Sequence, residues 1–244
     1  MLRRCFVFPV ALCLGLMTFN HLQAQTGQET IEHEGELTSD DRVHSDSGSY
    51  MDDYEVDLES GMLLVISMEC TDDSGLDTVL HLTGPSGQEL RNDDSYEFNG
   101  SRITTVVSEE GIWEIGAAGL HEDSEGAYKV TIETAMLEEV LSERGDLDES
   151  DGRLLKFGEF YDVYEIDVED GKTYVVNCVS TEFDTFLAAD YPGGHAYNDD
   201  IDSSYNKSMI VFKPEESGPA KIIMTSCNAD STGRYRLNVF QVDK

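Results

Sequence analysis

Apolar and polar residues alternate with a period of two along much of this chain. Tyr54, Val56 and Leu58 are interleaved with Glu55, Asp57 and Glu59, and Tyr164, Ile166 and Val168 with Glu165, Asp167 and Glu169. Tyr128, Val130 and Ile132 alternate with Lys129, Thr131 and Glu133, and Tyr235, Leu237 and Val239 repeat the pattern near the C-terminus. A strand that buries one face and wets the other reads this way, which predicts antiparallel sheets. Gly61 and Gly171 each follow such a strand and precede a further apolar run, as a hairpin would. Gly84-Pro85-Ser86-Gly87 and Pro192-Gly193-Gly194 mark further turns. Roughly six to eight short strands per hundred residues predict an all-β fold of antiparallel β-sandwiches, of Greek-key or jelly-roll type.

The pattern occurs twice. Gly35-Glu36-Leu37 returns as Gly145-Asp146-Leu147, and the strand from Tyr54 to Gly61 returns from Tyr164 to Gly171, both at an offset of 110 residues. Asp77-Thr78-Val79-Leu80 returns as Asp184-Thr185-Phe186-Leu187, and Gly126-Ala127-Tyr128 as Gly233-Arg234-Tyr235, at an offset of 107. A repeat of that length is a whole domain and not a solenoid unit. The reading gives two tandem domains, 35–134 and 145–244, joined by a linker over 135–144. Met136, Leu137, Val140 and Leu141 in that join have the spacing of one helical face, so a short helix and a continued strand end both fit it.

The first 24 residues read differently. Arg3 and Arg4 precede an apolar run from Cys5 to Met17, and Leu22-Gln23-Ala24 has the small-residue character of a cleavage site. This is the form of a secretory signal peptide, followed by a polar leader over 25–34, and it predicts a secreted protein, extracellular or periplasmic. The run is too short for a spanning helix, so no membrane insertion is expected.

Charge narrows the partners. The chain has 16 Lys and Arg against 50 Asp and Glu, a net charge of −34; cleavage after Ala24 removes two basic and no acidic residues and makes it −36. Such a surface repels nucleic acid and anionic lipid. It attracts cations, or stays soluble in salt that screens its self-repulsion.

With these residues in order, the chain resembles the bacterial pre-peptidase C-terminal domain, in two copies. The first carries Gly35, Leu37, Asp52, Tyr54, Asp77, Leu80, Asn92-Asp93-Asp94, Gly111, Trp113, Gly126 and Tyr128. The second carries Gly145, Leu147, Asp162, Tyr164, Asp184, Leu187, Asn198-Asp199-Asp200, Gly218, Gly233 and Tyr235. The resemblance implies a jelly-roll-like β-sandwich without catalytic residues, attached in relatives to secreted peptidases and other exported proteins. Collagenase-type relatives bind calcium and fibrous substrate, which implies a further candidate metal set at Glu34, Glu36, Asp52 and Asp53.

The recurring carboxylates Asp77, Asp93, Asp94, Asp184, Asp199 and Asp200 admit two readings. On loops at strand ends they could supply the six to eight oxygens that calcium takes; equally, Asp and Asn close tight turns by bonding nearby backbone. Cys178 corresponds to Met68 and Cys227 to Leu120, so two apolar positions of one repeat are both Cys in the other. In an exported protein that predicts a Cys178–Cys227 disulfide, with two buried thiols as the alternative, and leaves Cys70 over. Trp113 fits core packing or a sugar platform. Asn99-Gly100-Ser101 and Asn206-Lys207-Ser208 read as sequons or as a shared turn. No HExxH, no Gly-x-Ser-x-Gly and no phosphate-binding glycine loop occurs. The expectation is a secreted, non-catalytic binding protein for an extracellular polymer or protein. The alternatives are a calcium-dependent module for polysaccharide or fibrous protein, an accessory of a secreted peptidase or hydrolase, and a hydrolase with unrecognised carboxylates.

Overall fold

The computed structural model describes residues 28–45, 47–95, 99–154, 158–199 and 206–242. The expected signal peptide, the first three residues of the leader (25–27), and Asp200 lie outside the described residues. Among those described, no helix is present, and so none is long and apolar enough to cross a membrane.

Among the described residues the first unit has nine strands: β1 (Glu29–Leu37), β2 (Arg42–Val43), β3 (Tyr50–Leu58), β4 (Leu63–Cys70), β5 (Thr78–Thr83), β6 (Glu89–Asn92), β7 (Ser101–Val106), β8 (Gly111–Gly119) and β9 (Gly126–Ala135). They form two antiparallel sheets, in the orders β1-β9-β4-β7 and β2-β3-β8-β5-β6. The second unit repeats this with β10 (Leu137–Leu147), β11 (Gly152–Arg153), β12 (Phe160–Val168), β13 (Tyr174–Ser180), β14 (Thr185–Tyr191), β15 (Gly194–Asn198), β16 (Lys207–Phe212), β17 (Gly218–Ser226) and β18 (Gly233–Val242). Its sheets are β10-β18-β13-β16 and β11-β12-β17-β14-β15, the same topology strand for strand. The alternating residues behave as the period of two demands. Val56, Leu58, Tyr128, Val130 and Ile132 fill one sandwich core, and Ile166, Val168, Tyr235, Leu237 and Val239 the other.

Three boundaries move from their expected places. The domains begin with β1 and β10, not with Gly35 and Gly145, because the strands that pair with β9 and β18 extend upstream. The expected linker over 135–144 is therefore mostly β10, and only Met136 separates it from β9. The apolar spacing there suits a strand paired along β18 with an irregularity between Glu139 and Leu141, which shifts side chains between faces. The Gly61 and Gly171 turns, at φ +90° and +72°, are not hairpins: each carries the chain from one sheet to the other. The turns at Gly84–Gly87 and Pro192–Gly193 do join paired strands.

The two sandwiches meet through sheet faces. On β4, Leu64 and Ile66 point into the first core while Leu63 and Val65 face away; on β13, Tyr174 and Val176 face inward and Val175 outward. The outward residues gather with Ala135, Leu137, Met209 and Phe240 into a separate apolar cluster. The four-stranded sheets thus stack face to face, and a third core lies between the domains.

Candidate functional site

The repeated motif residues converge, but on internal ties. Tyr128 lies opposite Gly35 in the β1–β9 register, and Tyr235 opposite Gly145 in β10–β18. A Cβ on Gly35 would stand 2.5 Å from the Tyr128 ring, and one on Gly145 would overlap Tyr235. The bare backbone lets each ring cross to the facing sheet. There the Tyr128 hydroxyl donates to Asp52 Oδ2 at 2.5 Å, and the Tyr235 hydroxyl donates to Asp162 Oδ2. With that proton committed, Tyr54 donates to Tyr128 at 2.6 Å and Tyr164 to Tyr235 at 2.5 Å. Burial raises Asp52 and Asp162 above the ordinary carboxylate range, and the tyrosine bonds oppose that shift. Burial first, then the bond to the carboxylate, raises both tyrosines.

A second tie is also duplicated. Thr78 Oγ1 meets Ser101 Oγ at 2.8 Å, and Thr185 Oγ1 meets Ser208 Oγ at 2.6 Å, all four residues buried. The serines of both sequon-like triplets are thus sheet-to-sheet bridges, which supports the shared-turn reading. In the repeated Asp-Thr pair the buried cross-link comes from the threonine. Trp113 is a core residue, its Nε1 donating to the Glu109 carbonyl at 3.2 Å.

The aspartates expected as calcium ligands are not brought together. Asp77 stands 3.9 Å from His121 Nε2, and Asp93 pairs with Arg91 at 3.2 Å. Asp94 closes a turn, its N–H donating to Asn92 Oδ1 and its carbonyl accepting from Arg102 N–H, both at 3.1 Å. The Asp199 carbonyl accepts from Ser208. Asp184 has Oδ1 buried without a partner, as does Glu159 at Oε2. Asp53 pairs with Arg42 at 2.6 Å, and Asp52 is held by Tyr128. Among the described residues no group of three or more His, Cys, Asp or Glu side chains could share a metal ion. The expected Cys178–Cys227 disulfide is not formed. Cys178 is a buried thiol in the middle of β13, pushed up to about 12 by desolvation. Cys227 follows β17 in the facing sheet, its Sγ directed at the Thr185 carbonyl. Matching apolar positions in two repeats identified a buried site at Cys178 and a half-buried one at Cys227, but not a bonded pair.

Sequence reasoning missed a cleft of about 880 Å³ at the rim of the inter-sandwich core. One wall is β6 and β7, with Arg91, Asn92, Arg102 and Thr104; the other is β15 and β16, with His195, Tyr197, Met209 and Val211. All four are edge strands of their sheets. Asp93 holds Arg91, whereas no carboxylate among the described residues lies within ion-pair distance of Arg102. The cleft therefore combines apolar side chains, aromatic rings and hydrogen-bond donors, the mixture typical of ligand sites. Its residues come from equivalent strands of the two repeats, β6 with β15 and β7 with β16, but the side chains differ at matched positions, and only the stacking of the sandwiches unites them.

No protein-family model and no curated protein sequence matches the chain. Among solved structures it is similar to tripeptidyl peptidase 2, with 11% identity and a TM-score of 0.35 over 91% of this chain, which spans 24% of that one. It is also similar to the major capsid protein P2 of bacteriophage PM2, with 9% identity and a TM-score of 0.28 over 86% of this chain and 97% of that one. A third is the tandem CBM22-1-CBM22-2 domain of Paenibacillus barcinonensis Xyn10C, with 8% identity and a TM-score of 0.27 over 91% and 93%. These likenesses are distant, and the all-β sandwich architecture rests on the strand pairing itself.

Proposed function

We propose that this chain is an exported, non-catalytic binding protein whose two sandwiches hold an extended extracellular polymer in the cleft between them. The observation that carries this reading is the cleft's composition: both sandwiches contribute edge strands, and donors such as Arg102 stand beside apolar and aromatic groups. The repeated tyrosine–aspartate and threonine–serine pairs are occupied in internal ties, which leaves the cleft residues that differ between the repeats, Arg91 and Arg102 against Tyr197 and Met209, to meet a ligand. The test is retention of the full chain on a panel of polysaccharides and fibrous proteins, in calcium and in chelator. Wild type is expected to be retained on at least one polymer, and Arg102→Glu or Met209→Trp to weaken that retention about tenfold, the effect of losing roughly 1.4 kcal/mol. Retention on none, or equal retention of the variants, contradicts the reading. Loss in chelator alone would assign calcium to the interaction.

A further inference from the structure

The outer face of the five-stranded sheet in the second sandwich carries an apolar row that the fold does not require. Register sets Val163 opposite Ile223, Ile223 opposite Ala188, and Ala188 opposite Tyr197, one residue each from β12, β17, β14 and β15. Val163 is 46% exposed and Tyr197 70%. Phe186, on the same face of β14, holds its ring within 6° of parallel to that of Tyr197, with centroids 6.3 Å apart. The corresponding row of the first sandwich is Asp53, Gly116, His81 and Arg91. There Arg42 pairs with Asp53, and His44 stacks on His81. The same topology thus forms with a polar row, so neither pairing nor packing accounts for the apolar one.

We propose that this row is a docking track for a neutral polysaccharide, continuous with the cleft through Tyr197, which borders both. The inference rests on the reading of the cleft as a ligand site and names its ligand class. Charge directs the choice. A chain of net charge −34 disfavours a polyanion. The neighbouring row on the same face, Glu165, Lys221, Asp190 and His195, mixes both signs and so gives a basic peptide no uniform field. A neutral sugar chain lays the C–H faces of its rings on aromatic and aliphatic side chains, and turns its hydroxyls to donors such as Arg102 and Thr104 in the cleft. Four strands at sheet spacing give the row a length of about 14 Å, that of a short oligosaccharide.

The experiment is retention of the full chain on cellulose, chitin and starch, with alginate as the polyanionic comparison and solution mass measured in parallel. Wild type is expected on at least one neutral polymer. Val163→Asp combined with Tyr197→Arg, which places the first sandwich's residues in the row, is expected to weaken retention about tenfold. An unchanged melting profile establishes that the double variant folds. No retention on any neutral polymer, a preference for alginate, or undiminished retention of the folded double variant overturns the proposal. So does a wild-type dimer that the double variant dissolves, which would assign the row to a second copy. Two single variants separate this inference from the cleft reading. Loss in Arg102→Glu with full retention in Val163→Asp removes the track and keeps the cleft. Loss in both single variants supports the track together with the cleft, and loss in Val163→Asp alone removes the cleft and so overturns a track continuous with it.

Discussion

Tyr128 and Tyr235 show how one side chain ties two sheets. Each fills the space left by a glycine, reaches a half-buried aspartate and receives a hydrogen bond from a second tyrosine. Tyr128→Phe removes the donor and leaves Asp52 desolvated and unpaired, an expected cost of about 1.5–3 kcal/mol read by denaturant unfolding, with the same for Tyr235→Phe. Asp52→Asn keeps an acceptor and is expected to be nearly neutral at pH 7. The pH dependence has a definite sign. Burial raises Asp52 and Asp162, so the folded state holds their protons more tightly than the unfolded chain does. Their contribution is fully present below the unfolded value and is lost as pH rises through the raised folded values. Asp52→Asn combined with Asp162→Asn is therefore expected to flatten the change in melting temperature on the alkaline side of the ordinary carboxylate range. A profile identical to wild type would show that these carboxylates are not shifted.

At the scale of elements, β4, β13, β16 and β18 have two apolar faces, one for a sandwich core and one for the stacked interface. Val175 is fully buried there although it points out of its own sandwich. Val175→Asp would bury a charge without a partner. It is expected to cost more than about 3 kcal/mol and to split a shared melting transition into two, whereas a change below about 0.5 kcal/mol would show that the sheets do not stack. The individual strands were legible because alternation reports directly on which side is buried. The sandwich class was legible through the duplication and the turn residues, but the strand order was not, since Gly61 and Gly171 read as hairpin turns and instead cross between sheets. The interface was not, since the continuous runs Leu63–Met68 and Tyr174–Val179 announce two-sided burial but not what covers the second face. Nor was the join, because a few apolar residues near a strand irregularity mimic helical spacing. Asn92 closes a turn onto the Asp94 N–H, and a repeated turn residue looks the same in sequence as a repeated ligand. The cleft was legible only in part: Asn92 and Asn198 of the repeated motif line it, but the side chains beside them, Arg91 and Arg102 against Tyr197 and Met209, differ between the repeats, and the chain brings the two sets together only by stacking.

At the scale of the whole molecule, four sheets lie in sequence and the cleft opens where the two inner ones meet. Both sandwiches carry the same internal ties, so the scaffold is duplicated, while the exposed faces have diverged. The acidic surface keeps polyanions away over a Debye length of about 10 Å at ordinary salt. The cleft and the row beside it are where rings, apolar groups and Arg102 stand together. The most direct measurement of this arrangement is amide hydrogen exchange of the full chain with and without a soluble oligomer of the polymer that retains it. The expected result is slowed exchange in β6 and β7 of the first sandwich and in β15 and β16 of the second, at the same ligand concentration. Protection confined to one sandwich, or to the far side where β2 and β11 lie, would contradict a ligand site built between them.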